Sequence, residues 1–192
     1  METELCKLAL KYFADKCPQL NHMYTPFYYE FFSPMRNSIK KVLEVGVGNN
    51  SIKKVFPEYR PGASLRMWRD FFPNAQIYGA DMAREAIFEE DRIKTFYCNE
   101  FKKESIEALV EKTGTDIDFV LDDADHHMDR QIFLFNTLMP LLKKDVIYII
   151  EDSRHTRAVR EVLSGGYDIY IPKLLPNSKP RARDGIVVIR NK

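Results

Sequence analysis

Two acidic clusters in this 192-residue chain have the composition of a cation site. Asp122-Asp123-Ala124-Asp125-His126-His127 follows one apolar run, and Glu151-Asp152 follows the next. Carboxylates gathered at one place repel one another unless a cation sits among them. An all-oxygen set favours Mg²⁺, Mn²⁺ or Ca²⁺ over zinc. The same acids could instead cap helix N-termini. His126 stands three residues beyond Asp123 with His127 next to it, and His155 follows the second cluster.

A second set suits a nucleoside. Glu44-Val45-Gly46-Val47-Gly48 ends an apolar run, and glycines there let the backbone turn tightly and approach a ligand. Ser51 stands where a dinucleotide fingerprint would place its third glycine, and a loop over 49–61 delays the next helix, which argues against a nicotinamide dehydrogenase. Gly79-Ala80-Asp81 ends the following run, and an acid at that point can accept hydrogen bonds from both ribose hydroxyls.

The elements that must position these residues are legible in the patterning. Near-continuous apolar runs at 41–47, 75–80, 119–121 and 146–150, with a weaker one at 93–97, predict strands buried on both faces. Helical spacing falls between them at 63–72, 104–112, 129–142 and 156–163. In the third of these, Ile132, Phe133, Phe135, Leu138, Met139 and Leu142 are expected on the buried face. The alternation predicts an α/β, doubly wound, mainly parallel sheet whose C-terminal strand ends lie along one edge, which brings both acidic clusters together. Strand-like 167–171 and 185–190 predict a C-terminal antiparallel hairpin; Lys173, Lys179, Arg181 and Arg183 fall in its loop. Residues 1–40 read as an N-terminal cap segment, with a helix over 4–14 and then the aromatic run Tyr24, Phe27, Tyr28, Tyr29, Phe31 and Phe32, a lid, a core element or a dimer contact. Residues 41–192 read as the core.

Taken in order, Glu44-Val45-Gly46-Val47-Gly48, Gly62-Ala63-Ser64-Leu65-Arg66-Met67-Trp68, Tyr78-Gly79-Ala80-Asp81, Leu121-Asp122-Asp123-Ala124-Asp125-His126 and Ile150-Glu151-Asp152 resemble a known series. It is that of the metal-dependent sugar O-methyltransferases of macrolide biosynthesis (the mycinamicin and macrocin type) and their cephalosporin-hydroxylase-like relatives. The resemblance spans roughly residues 41–153 and implies a Rossmann-like, class I S-adenosylmethionine-dependent methyltransferase fold. It implies Asp123, Glu151 and Asp152 as ligands of Mg²⁺ or Mn²⁺, and His126 as the catalytic base. It places Gly46, Ser64, Asp81 and Asn99 at the methyl-donor site, with Glu44, Gly48 and Asp122 counted beside them. Asn99 stands where relatives often carry Asp, and Ala124 where Gly is common. The acceptor implied is a sugar or glycan with vicinal hydroxyls: a divalent ion lowers the pKa of the attacking hydroxyl, and an imidazole takes its proton. A catechol-type O-methyltransferase uses the same chemistry and stays open, as does a hydroxylase-like or non-catalytic protein that only binds S-adenosylmethionine.

Composition excludes other classes. Net charge is +1, with 45% hydrophobic and 30% charged residues, so no global field recruits nucleic acid or an anionic membrane. No apolar run approaches the roughly 20 residues of a membrane span. Three cysteines and an acidic N-terminus without signal-peptide order point to a reduced, cytoplasmic protein. A homo-oligomer is compatible with all of this.

Overall fold

The computed structural model describes residues 2–143, 145–163, 165–177 and 184–192; Lys179, Arg181 and Arg183 of the expected loop lie outside them. The chain opens with α1 (Glu4–Tyr12) and α2 (Tyr24–Phe32). It continues through β1 (Lys41–Val45), α3 (Ala63–Phe71), β2 (Gln76–Asp81), a short β3 (Glu89–Glu90) and β4 (Ile93–Tyr97). Next come α4 (Lys103–Thr113), β5 (Phe119–Asp122), α5 (Met128–Leu138), β6 (Ile147–Ile150) and α6 (Thr156–Leu163), and the chain ends in β7 (Tyr167–Tyr170) and β8 (Val187–Asn191).

One sheet runs in the order β3-β4-β2-β1-β5-β6-β8-β7. The pairs β4–β2, β2–β1, β1–β5 and β5–β6 are parallel, and β8 lies antiparallel between β6 and β7. The doubly wound sheet and the terminal hairpin are therefore as expected, and β3 adds an antiparallel edge.

Side chains alternate across the sheet with the two-residue period of a strand. Along β5, Phe119 and Leu121 enter the layer built with α1, α2 and α3, while Val120 enters the layer of α4, α5 and α6. The same alternation decides where each strand-end acid goes. Glu44 follows Leu43 and turns to the first layer; Asp122 continues the direction of Val120 into the second.

The boundaries have local causes. The first strand stops at Val45 rather than 47 because Gly46 takes φ +93°, a left-handed turn that glycine adopts without strain. The helix expected over 129–142 ends at Leu138, where Pro140 starts a 3₁₀ turn over Met139–Leu141. Its buried face is Gln131, Leu134, Phe135 and Leu138, so Phe133 points to solvent, one position off the expected stripe. The aromatic run is helix α2: Tyr28 and Phe32 are fully buried, and Phe32 packs on Trp68, Phe72 and Phe119.

Candidate active site

The carboxyl ends of β5 and β6 bring Asp123, His126 and Asp152 together. One donor atom from each lies within 4.8 Å of the other two. Asp123 follows β5, with its backbone N–H bonded to the Val45 carbonyl. Gly46 makes that approach possible: a Cβ there would stand 2.1 Å from the Asp123 carbonyl oxygen. Asp152 follows Glu151 in a left-handed conformation, φ +49°, which Asp tolerates better than most residues. The turn sends two consecutive acids to different partners. Glu151 meets Lys16 and Tyr28; Asp152 meets Tyr24, His22 and His126.

His126 Nε2 lies 3.7 Å from Asp152 Oδ2. Its Nδ1 is buried and has no hydrogen-bond partner among the described residues. The two carboxylates are oxygen donors of the kind that suits Mg²⁺ or Mn²⁺, while an imidazole as a ligand favours softer ions. His127 bonds Asp125 instead and is exposed, and His155 lines a separate cleft with Ser153, Thr156 and Asp184.

The patterning did not single out the cation at the heart of this cluster. Lys16 is 2% exposed. Its Nζ donates to Asp123 Oδ2 at 2.7 Å and to Glu151 Oε2, and stands 3.9 Å from Glu44 Oε1. Burial opposes its charge, but Asp123, Glu151 and Glu44 together hold its pKa well above the ordinary lysine value. Tyr28 donates to the other Glu151 oxygen at 2.6 Å. Tyr24 donates to Asp152 and accepts from the Asp152 and Gly185 backbone N–H groups, each at 3.3 Å. Burial pushes the Tyr24 hydroxyl far above its ordinary pKa, so it remains a donor. His22 stacks on Tyr24 and bonds Asp184 at 2.7 Å. The segment around α2 thus closes one side of the acidic site.

The expected donor-site residues lie along the same edge at two depths. Asp81 accepts from the Val47, Gly48 and Ala83 backbone N–H groups at 2.8, 3.1 and 2.7 Å, tying the glycine turn to the end of β2. Tyr59 covers Gly48 and donates to the Val47 carbonyl at 3.1 Å. Gly46, Gly48, Asp81 and Asn99 are partly exposed. Glu44, Ser64 and Asp122 are buried. Glu44 accepts from Ser64 Oγ at 2.5 Å and Trp68 Nε1 at 2.9 Å, and burial lifts its pKa to about 7 against the pull of Lys16. Asp122 is raised by burial on the opposite face, where Tyr148 donates to it at 3.3 Å. Asn99 Oδ1 accepts from the Phe101 N–H. A cleft of 440 Å³ opens here, lined by Met82, Glu100, Phe101, Asp125, His126 and Arg154 among others. It spans the ends of β2, β4, β5 and β6, where open α/β sheets bind their ligands.

A glycine turn after β1, an acid ending β2 and an acid–histidine cluster after β5 and β6, on a sheet of this order, define the class I S-adenosylmethionine-dependent methyltransferase fold. No family model matches the chain. It is 36% identical over 149 residues to the mycinamicin VI 2''-O-methyltransferase of Micromonospora griseorubida, covering 78% of this chain and 36% of that protein. It is 34% identical, with the same coverage, to a Streptomyces olivaceus 3'-O-methyltransferase of a rhamnosyl tetracenomycin C. A solved structure of the methyltransferase MycE, in complex with Mg, SAH and mycinamycin VI, superposes with a TM-score of 0.75 at 25% identity, over 99% of this chain and 55% of that one. Over the matched stretch the chain is similar to these sugar O-methyltransferases, and it spans about a third of the length of the curated relatives it matches.

Proposed function

We propose that this chain is the core of an S-adenosylmethionine- and divalent-metal-dependent O-methyltransferase acting on a sugar hydroxyl of a glycoside. The observation that carries the reading is the Asp123–His126–Asp152 cluster, whose His126 lines the cleft. Its relatives methylate sugar hydroxyls, and MycE was solved with Mg, SAH and a macrolide.

In this reading Gly46, Gly48, Asp81 and Asn99 receive the methyl donor, with Glu44, Ser64 and Asp122 fixing the frame beneath them. Asp123 and Asp152 hold Mg²⁺ or Mn²⁺; Glu151, expected as a third ligand, has both oxygens engaged by Lys16 and Tyr28 and is read instead as supporting them from behind. A bound ion supplies Lewis acidity, lowering the pKa of one of two vicinal sugar hydroxyls. His126 takes the proton from that hydroxyl. The imidazolium so formed faces Asp152 Oδ2, 3.7 Å from Nε2, which stabilises its charge. The cleft walls hold the approach of hydroxyl and methyl group, and such positioning supplies much of the rate.

Cys6, Cys17 and Cys98 are buried, with no disulfide among the described residues, which supports a reducing, cytoplasmic setting. No described helix is long and apolar enough to cross a membrane.

The test is a panel of glycosides and catechols incubated with labelled methyl donor and Mg²⁺. Label in a glycoside is the expected result. Label in catechols alone would transfer the site to phenolic diols.

A further inference from the structure

The cation already built into the acidic cluster bears on how that cluster would treat a metal. Asp123 meets Asp152 and His126 on one side and Glu151, through Lys16, on the other, and carboxylates gathered in this way cost energy until they are neutralised. Lys16 neutralises them from within the chain. Its ammonium takes one oxygen of Asp123 and one of Glu151, while Tyr28 takes the second oxygen of Glu151. Asp123 keeps one oxygen free of Lys16, and Asp152 keeps the one that faces His126.

We propose that Lys16 is a resident counter-cation that sets the affinity of the Asp123–Asp152 site for its divalent ion. The inference rests on the metal reading above and adds a residue to it. Two consequences follow from charge alone. A fixed ammonium bonded to Asp123 repels an incoming dication, so the metal binds more loosely than the same two carboxylates would hold it without Lys16. The same ammonium keeps the carboxylates assembled when no metal is present, so the fold around β5 and β6 does not depend on the ion.

Mn²⁺ binding to the whole chain, followed by electron paramagnetic resonance and calorimetry, tests this without reference to turnover. Lys16→Met should bind Mn²⁺ tighter by about tenfold or more, and its thermal midpoint should rise on adding Mn²⁺ much more than that of the wild type. Because Lys16→Met leaves buried carboxylates uncompensated and could fail to fold, Lys16→Met/Glu151→Gln provides a balanced partner. It removes the ammonium with the carboxylate it neutralises, and should bind Mn²⁺ within about threefold of the wild type. Folded Lys16→Met with unchanged or weaker Mn²⁺ affinity overturns the proposal. So does a folded double variant that binds tenfold or more weakly, since Glu151 would then be a direct ligand. If neither the wild type nor Lys16→Met nor the double variant binds Mn²⁺, the metal reading itself fails and this inference goes with it. Binding by the wild type that Lys16→Met does not tighten defeats the inference alone.

Discussion

His126 differs from an ordinary surface histidine in two measurable ways: its Nδ1 is buried without a partner, and its Nε2 looks at Asp152 across 3.7 Å. If it is the base, His126→Ala should lose roughly 10²–10⁴-fold in single-turnover methyl transfer while still binding metal and donor. The wild-type rate should rise along an acid limb as pH increases, and that limb should be missing from the variant. An intact limb would move the base elsewhere. Asp81 makes a second prediction at this scale. It ties down the glycine turn through three backbone N–H groups, so Asp81→Ala should weaken donor binding by roughly 1.5–3 kcal/mol, read by calorimetry. Unchanged affinity would mean the donor does not use the end of β2. Asp123, His126 and Asp152 could be proposed from the sequence because Asp123 and Glu151-Asp152 follow apolar runs and His126 stands three residues beyond Asp123. Lys16 could not: it lies 107 residues from Asp123 and 135 from Glu151, and nothing in its own neighbourhood marks it as buried. The signal available was indirect, an acidic cluster that needs a positive charge from somewhere in the chain.

Among elements, every strand but the two-residue β3 was read from its apolar run, with ends that shifted; Gly46 ended β1 and Pro140 ended helix α5, turns that hydropathy does not register. Helix α2 was harder. Phe27, Tyr28, Tyr29, Phe31 and Phe32 leave no polar face from which a period could be read, so an aromatic run became a helix only once Trp68 and Phe119 supplied its packing surface. Helix α1 is clamped to α3 by Asp70. Burial works against that carboxylate's charge, but hydrogen bonds from Tyr12, Lys11 and Arg69 take its pKa from 3.8 down to about 2. A depressed folded pKa contributes stability that is present above the unfolded value and disappears as pH falls through the folded one. Asp70→Asn should therefore melt below the wild type near neutral pH, by about 1 kcal/mol or less given solvent screening, and converge with it at about pH 2. Thermal melts across that range decide it; a constant gap would mean the clamp is not ionic.

In the whole molecule, the glycine turn and Asp81 sit at the ends of β1 and β2, while the acid–histidine cluster sits at the ends of β5 and β6. Donor affinity should therefore be similar with and without chelator, and a collapse in chelator would contradict this division of the cleft. The relatives are more than twice as long as the stretch they share with this chain, and the proposal places the metal ligands and the base among the residues described above. The most direct test of that claim is single-turnover methyl transfer to a glycoside acceptor, by the wild type and Asp123→Asn, each in Mg²⁺ and in chelator. The account predicts transfer by the wild type in Mg²⁺, its loss in chelator, its return when Mg²⁺ is restored, and little transfer by Asp123→Asn in either condition. Undiminished transfer by Asp123→Asn in chelator would contradict it.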